Sequence, residues 1–275
     1  MTSSLLDVDA QGSAVGTASV FKALMLRDAH VLRKNLRQFI PRTIMQPVLL
    51  VFVFAYVFPK IGQGVGGSGG AESFSLVLVA GVLGSVIFSQ GLQAVAFPMV
   101  QDFGFTREIE GRAMAPMRIE LIALQKIAFG ACQCFIAAMI VFPLAYYVPA
   151  TAVSLEISWP TLILITPLAC LMSASLGLMF GTVFDPYTVP LMFGVIVIPI
   201  TFLGCIYYPW QALEGVAWLQ VVVLLNPLVY MSEGFRGAIT PLPHLSLWAC
   251  FAVMISFTIL FAWVGVRGFR RRFLS

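Results

Sequence analysis

Residues 215–232 read GVAWLQVVVLLNPLVYMS, and whether this run crosses a membrane decides the topology of the whole chain. Hydropathy alone would admit it as a seventh span. The charges around it argue otherwise. Fourteen of the 16 lysines and arginines fall in three clusters, Lys22 to Arg42, Arg107 to Lys126 and Arg267 to Arg272, with only Lys60 and Arg236 elsewhere. Positive charge marks the cytoplasmic loops of membrane proteins. Seven crossings would put Arg267, Arg270, Arg271 and Arg272 opposite the N-terminal cluster; six put all three clusters on one side. The charge pattern therefore favours six spans, with 209–236 dipping into the outer leaflet and returning. Asn226-Pro227 breaks any continuous helix there. Irregular backbone at that depth needs a cover of protein or a water-filled cavity.

Composition supports lipid as the solvent. The 275 residues are 60% hydrophobic and only 10% charged, with a mean hydropathy of +0.95. Soluble domains carry about 25% charged residues. The expected fold is an all-α membrane protein of six transmembrane helices, with both termini cytoplasmic. Since about 20 helical residues cross the hydrocarbon, spans are expected at about 43–60, 74–100, 122–147, 161–183, 187–208 and 245–266, within a transmembrane domain over 43–266. Residues 1–18 read as a disordered cytoplasmic tail without the apolar core of a signal peptide. Residues 267–275 read as a basic cytoplasmic tail, and the Gly-rich stretch 61–73 as a flexible external loop. The five cysteines, all inside apolar runs, suit packing better than disulfides or metal binding.

Residues 19–42 form a separate element. In SVFKALMLRDAHVLRKNLRQFI (19–40), Val20, Leu24, Val31 and Phe39 interleave with Lys22, Arg27, Arg33, Lys34 and Arg37. This is the pattern of a basic amphipathic helix lying in the membrane interface. Two roles fit it equally: a positive anchor that sets topology, or an elbow helix that packs on neighbouring subunits. Pro41 is expected to end the helix and turn the chain into the first span.

No catalytic constellation is legible. His30 and His244 fall on opposite sides of the membrane, and no Walker A, G-x-G-x-x-G or H-E-x-x-H motif occurs. The chain is expected to be no enzyme and to hold no cofactor or metal of its own. The net charge of +4 flanks apolar spans, where it meets lipid headgroups; nucleic acid is not an expected partner. Ion-coupled carriers keep ionisable groups near the bilayer midplane. Here the span interiors offer only Ser85, Ser89, Gln90, Gln93, Gln133, Ser173, Ser175 and Thr201, which suit a packing seam or a polar lining. The aromatic residues Phe52, Phe54, Phe58, Phe193 and Phe202 suit packing, lipid contact or a greasy path. Energy for any transport would then come from a partner. A non-transporting scaffold or assembly protein is the alternative, and an ion-coupled secondary carrier a weaker one.

The loop DFGFTREIEGRAMAPMRIELIALQK (102–126) is mixed in charge. Arg107 and Glu110 are spaced i,i+3, and Glu108 and Arg112 i,i+4 in the favourable order. Gly111 and Pro116 limit a helix to about two turns, and Met114, Met117 and Ile119 add apolar surface. Such an element suits docking onto a soluble protein. It equally suits a solvated loop whose surface ion pairs contribute little.

Two stretches resemble the permeases of ABC-2 type exporters. In the first, Arg107-Glu108, Gly111, Pro116, Arg118 and Gln125-Lys126 follow that family's order after its second span. In the second, FLGCIYYPWQALEGVAWLQVVVLLNPLVYMSEGFRGAI (202–239), Tyr208-Pro209 ends the fifth span, and Asn226-Pro227, Tyr230, Glu233 and Arg236 follow. The resemblance covers 20–272 and implies a multi-pass permease of the bacterial plasma (inner) membrane. It implies two copies of a cytoplasmic ABC ATPase, which bind ATP and Mg, and a second permease subunit in a homo- or heterodimer. Residues 105–118 would be the coupling helix seated on the ATPase, through Arg107, Glu108, Glu110, Arg112, Met114 and Pro116. Residues 209–236 would be the outer re-entrant gate, built on Tyr208, Pro209, Asn226, Pro227, Tyr230, Glu233 and Arg236. The resemblance implies outward movement of an amphipathic cargo (a drug, a lipid or a lipid-linked glycan) between two permeases, along spans 1, 2 and 5. Glu233 and Arg236, at i,i+3, also fit a purely structural pair that neutralises itself near lipid.

Overall fold

The computed structural model describes residues 17–57, 70–104, 119–147 and 156–274, and every regular element among them is helical. In chain order these are α1 (Thr17–Lys34), α2 (Leu36–Val51, continued by a π-helical turn Phe52–Val57), α3 (Gly70–Gly104) and α4 (Ile119–Tyr147). Then come α5 (Trp159–Val183), α6 (Val189–Phe202, π-helical over Phe193–Val197), a 3-10 turn Trp210–Gly215, α7 (Ala217–Val222), α8 (Pro227–Ile239) and α9 (Leu247–Leu274). Among the described residues, four helices are long and apolar enough to cross a membrane: Phe74–Gly104, Ile119–Pro143, Trp159–Val183 and Leu247–Phe273. They contain the second and fourth expected spans and cover most of the third and sixth.

The first and fifth spans depart from expectation. Pro41 does not end a helix. The break falls at Asn35, and α2 runs on through Pro41. The N–H of Asn35 still bonds the carbonyls of Val31 and Leu32, and its carbonyl accepts from Phe39 at 2.9 Å, so the two helices join at a kink. Proline removes one backbone donor, and that loss does not by itself stop a helix whose other bonds are made. The fifth span was expected over 187–208 but is helical only over Val189–Phe202, about 21 Å at 1.5 Å per residue. Beyond it the chain turns through Cys205, the one described non-glycine residue with positive φ (53°). The basic residues 267–272 are no separate tail; they are the last turns of α9.

Helix α3 is the hub, packed against α4, α5 and α8, while α9 covers the far side of α5. Leu78, Ile87, Phe88, Leu92 and Met99 are fully buried along it. Lipid supplies no hydrophobic drive between helices, so close approach through small residues matters most. A Cβ on Gly177 of α5 would sit 2.6 Å from the Leu92 carbonyl, and one on Gly81 of α3 would collide with the Ile206 carbonyl. The first glycine lets α5 cross α3, and the second lets the turn after α6 rest on α3. Intramembrane hydroxyls mostly bond within their own helices: Ser85 to the Val82 carbonyl, Ser173 to Ala169 and Thr201 to Val197. That is packing chemistry. Phe193 stacks on Phe97 inside the fold, whereas Phe52 and Phe202 are exposed.

The charged ends of the helices meet at one end of the bundle. Arg272 of α9 reaches Asp185 in the turn after α5, at 3.4 Å, and lies 5.6 Å over the ring of Phe103 at the end of α3. Arg270 faces Glu120 at the start of α4, at 3.7 Å. Lys126 of α4 pairs with Asp102 of α3 and with Asp28 of α1. Charged residues of α1 (Asp28), the start of α4 (Glu120, Lys126) and the end of α9 (Arg270, Arg272) therefore share that end.

Candidate functional site

Two regions hold the candidate residues. The loop 105–118, with Arg107, Glu108, Glu110, Arg112, Met114 and Pro116, lies outside the described residues. Its two stems are described, and they are tied together. Two residues before the end of α3, the Asp102 carboxylate lies 3.3 Å from the Lys126 ammonium, with side chains 9% and 8% exposed. Lys126 also lies 4.0 Å from Asp28. Gln125 Nε2 donates to Asp28 Oδ2 at 3.0 Å. Paired charges this poorly hydrated are destabilising unless several groups satisfy them together. The cluster therefore locks the ends of α3 and α4 to each other and to α1. Gln125 and Lys126 stood out in the sequence. Asp28 did not, although it is the only acid within 19–40; an acid in a basic amphipathic helix was the available signal.

The second region is 203–246, at the opposite end of the bundle. It breaks at Asn226-Pro227 as the sequence predicts, and its longest helix, α8, has 13 residues. Asn226 caps that helix: its Oδ1 accepts from the Leu228 N–H at 2.9 Å. Its Nδ2 donates to the Ile200 carbonyl at 2.7 Å, satisfying an orphan acceptor in the last turn of α6. One side chain thus serves both a helix start and a helix end. Tyr230 Oη donates to the Leu224 carbonyl at 2.8 Å. Tyr208 Oη donates to Phe202 at 3.4 Å, and Pro209 precedes the 3-10 turn.

Glu233 and Arg236, one turn apart on α8, are both completely buried and bonded to each other. Glu233 Oε1 also accepts from the Trp210 N–H at 2.9 Å, and Oε2 from the Leu245 N–H at 3.0 Å. Arg236 Nη2 donates to the Cys205 carbonyl at 2.9 Å. The pair therefore holds three chain reversals at once: the left-handed turn after α6, the start of the 3-10 turn, and the approach to α9. A left-handed residue with a side chain is disfavoured by about 1–2 kcal/mol; the bond to its carbonyl helps hold it there. The pairing of Glu233 with Arg236 was readable from their spacing. Their backbone partners were not, because Cys205, Trp210 and Leu245 are distant in sequence and ordinary in type.

The region also has an apolar outer surface. Trp218, Val221 and Leu225 are 70%, 67% and 79% exposed, as expected of residues facing lipid or another membrane subunit. The carboxylates and the arginine of this region are accounted for: Glu233 and Arg236 are paired, and Glu214 is exposed.

Comparison with known proteins agrees with this architecture. The family model for the ABC-2 type transporter matches residues 19–240. Among curated proteins, the inner membrane transport permease YadH of Escherichia coli (strain K12) is 26% identical over 224 residues, covering 80% of this chain and 84% of its own. The permeases of the same name from Escherichia coli O157:H7 and Shigella flexneri match to the same extent. With several apolar helices able to span a bilayer, the protein is a multi-pass protein of the inner membrane. It belongs to the ABC-2 type transporter family.

Proposed function

We propose that this chain is the transmembrane permease subunit of an exporter driven by ATP hydrolysis on a separate cytoplasmic ATPase. The single observation that carries the reading is the tie between the stems of 105–118. Asp102, Lys126 and Asp28 hold the ends of α3 and α4 as one body with α1, so a push on the loop reaches two spans together. In this reading Arg107, Glu108, Glu110 and Arg112 make the polar contacts to the ATPase, and Met114 and Pro116 seat it. ATP and Mg stay with that partner, present in two copies.

The proposed topology has six crossings with both termini cytoplasmic. Helix α2 and its π-helical turn, 16 and 6 residues, make about 33 Å. The fifth crossing is α6 completed by the irregular stretch after it, where Cys205 and Ile206 are fully buried by protein, as non-helical backbone at membrane depth requires. Helix α1 serves as the elbow helix. The exposed apolar residues of α2 and α6, such as Leu49, Phe52, Val195 and Phe202, face a second permease subunit. An amphipathic cargo passes between the two, and 209–236 acts as the outer gate, with the Glu233–Arg236 pair as its internal clamp.

Purification together with the proteins encoded beside it tests this directly. An ABC ATPase should accompany the full-length chain, and Arg107→Glu, Glu108→Arg and Arg112→Glu combined should release it without altering thermal stability. An ATPase that stays bound and drives transport in that triple variant would overturn the docking assignment.

A further inference from the structure

A groove of about 600 Å³ runs between the start of α4 and the end of α9. Its walls are Leu124 on α4 and Ala262, Trp263 and Val266 on α9; its rim is Glu120, Arg267 and Arg270. The two helices run antiparallel here, so their polar residues fall at the same level. Glu120 precedes Leu124 by one turn on α4, and Arg267 and Arg270 follow Trp263 by one and two turns on α9. The contact between Arg270 and Glu120, at 3.7 Å, shows that the levels coincide. The groove is thus charged at one end and apolar deeper in, the division found within a phospholipid.

Three further observations point the same way. Arg267 lies 5.3 Å over the Trp263 ring, a cation–π contact that holds the guanidinium at the depth where tryptophan prefers the headgroup boundary. Trp263 is 59% exposed and Leu124 44%. The protein-facing side of α9 is elsewhere: Gly265 and Gly268 press on Leu178, Met179 and Thr182 of α5. Two arginines against one carboxylate leave the rim net positive.

We infer that this groove is a binding site for an anionic phospholipid. The phosphate sits between Arg267 and Arg270, competing with Glu120 for the second, and an acyl chain runs over Trp263, Val266 and Leu124. Assignment to the cytoplasmic leaflet rests on the topology proposed above. Basic pockets between spans on that face suit anionic headgroups.

The test is native mass spectrometry of the full-length protein, delipidated in detergent and titrated with dioleoyl phosphatidylglycerol or dioleoyl phosphatidylcholine. An arginine near an anionic surface is worth about fivefold in binding, so two arginines partly offset by Glu120 give roughly a tenfold preference for phosphatidylglycerol. Arg267→Gln with Arg270→Gln should abolish the preference. Arg271→Gln, which removes one positive charge beside Arg270 but outside the groove, should keep it, and so separates loss of local charge from loss of the site. Equal binding of the two lipids, or a preference that survives the double substitution, overturns the site. Displacement of the lipid by equimolar glycerol 3-phosphate also overturns it, as a site for free anions. A C-terminal green fluorescent protein that stays dark in cells would sink the topology, and with it the leaflet, while leaving the lipid preference intact.

Discussion

Removing Glu233 should loosen the segment 203–246 more than removing Arg236 does. The difference follows from what each survivor keeps. In Glu233→Ala, Arg236 stays fully buried with one acceptor, the Cys205 carbonyl at 2.9 Å, and the Trp210 and Leu245 N–H groups lose theirs. In Arg236→Met, the Glu233 carboxylate still accepts from both N–H groups. Breaking a buried pair destabilises by about 3–5 kcal/mol, and the bonds retained place Glu233→Ala near the top of that range and Arg236→Met near the bottom. At 1.4 kcal/mol per factor of ten, local opening should become about three to four orders of magnitude more frequent in the first and about two in the second. Cys250 is a suitable reporter. It is fully buried on α9 and lies against Gly234 of α8, so it becomes reactive when α8 undocks. The assay is the rate of labelling of Cys250 by a small maleimide, in nanodiscs, with the other four cysteines replaced by alanine. Opening in fast equilibrium makes the labelling rate proportional to the open fraction. Equal acceleration by the two substitutions would refute the bookkeeping of retained bonds. Wild-type rates in both would refute the clamp itself.

Two other outcomes follow from the same geometry. Asn226→Ala removes a helix cap and leaves the Ile200 carbonyl without its donor, so unfolding should be easier by about 1–2 kcal/mol, read as a lowered thermal midpoint in nanodiscs; an unchanged midpoint would show the cap to be idle. Lys126→Met should destabilise the protein by roughly 3 kcal/mol, chiefly by removing the cation from the buried Asp102, and Asp102→Asn in the same chain should recover part of the loss. Failure to recover would mean that Lys126 acts by packing alone.

The four long apolar helices were readable because their cause is one-dimensional. A span must be about 20 apolar residues whatever surrounds it, and α3, α4, α5 and α9 lie where their uncharged runs are. The break at Asn226-Pro227 was readable for a similar reason, since proline's missing donor is a property of the residue. Pro41 shows the limit of that logic: proline permits a break without compelling one, and the kink fell at Asn35 instead. The short fifth helix was not readable either. Residues 187–208 are uncharged throughout, and Gly204 alone is a weak local sign that the helix stops at Phe202.

For the candidate sites, the sequence named the residues and the fold supplied their partners. Arg107, Glu108, Glu110 and Arg112 announced a mixed-charge loop, yet what ties its α4 stem to α1 is Asp28, about a hundred residues from Lys126. Glu233 and Arg236 were paired by spacing alone. That they also secure the turns at Cys205, Trp210 and Leu245 depends on backbone groups, which every residue carries and no composition reveals.

By itself, then, the sequence determined that this is a helical membrane protein, which ends of its spans carry charge, and which family its motifs resemble. Hydrophobic length and charge placement are set by transfer between water and lipid, and that balance acts on each segment separately. Only the tertiary structure decided where helices kink or stop, which buried charges meet, and how the segment 203–246 is held. Those outcomes depend on contacts between distant residues: a glycine that admits a carbonyl, or a carboxylate that finds two N–H groups in a medium with no water to replace them.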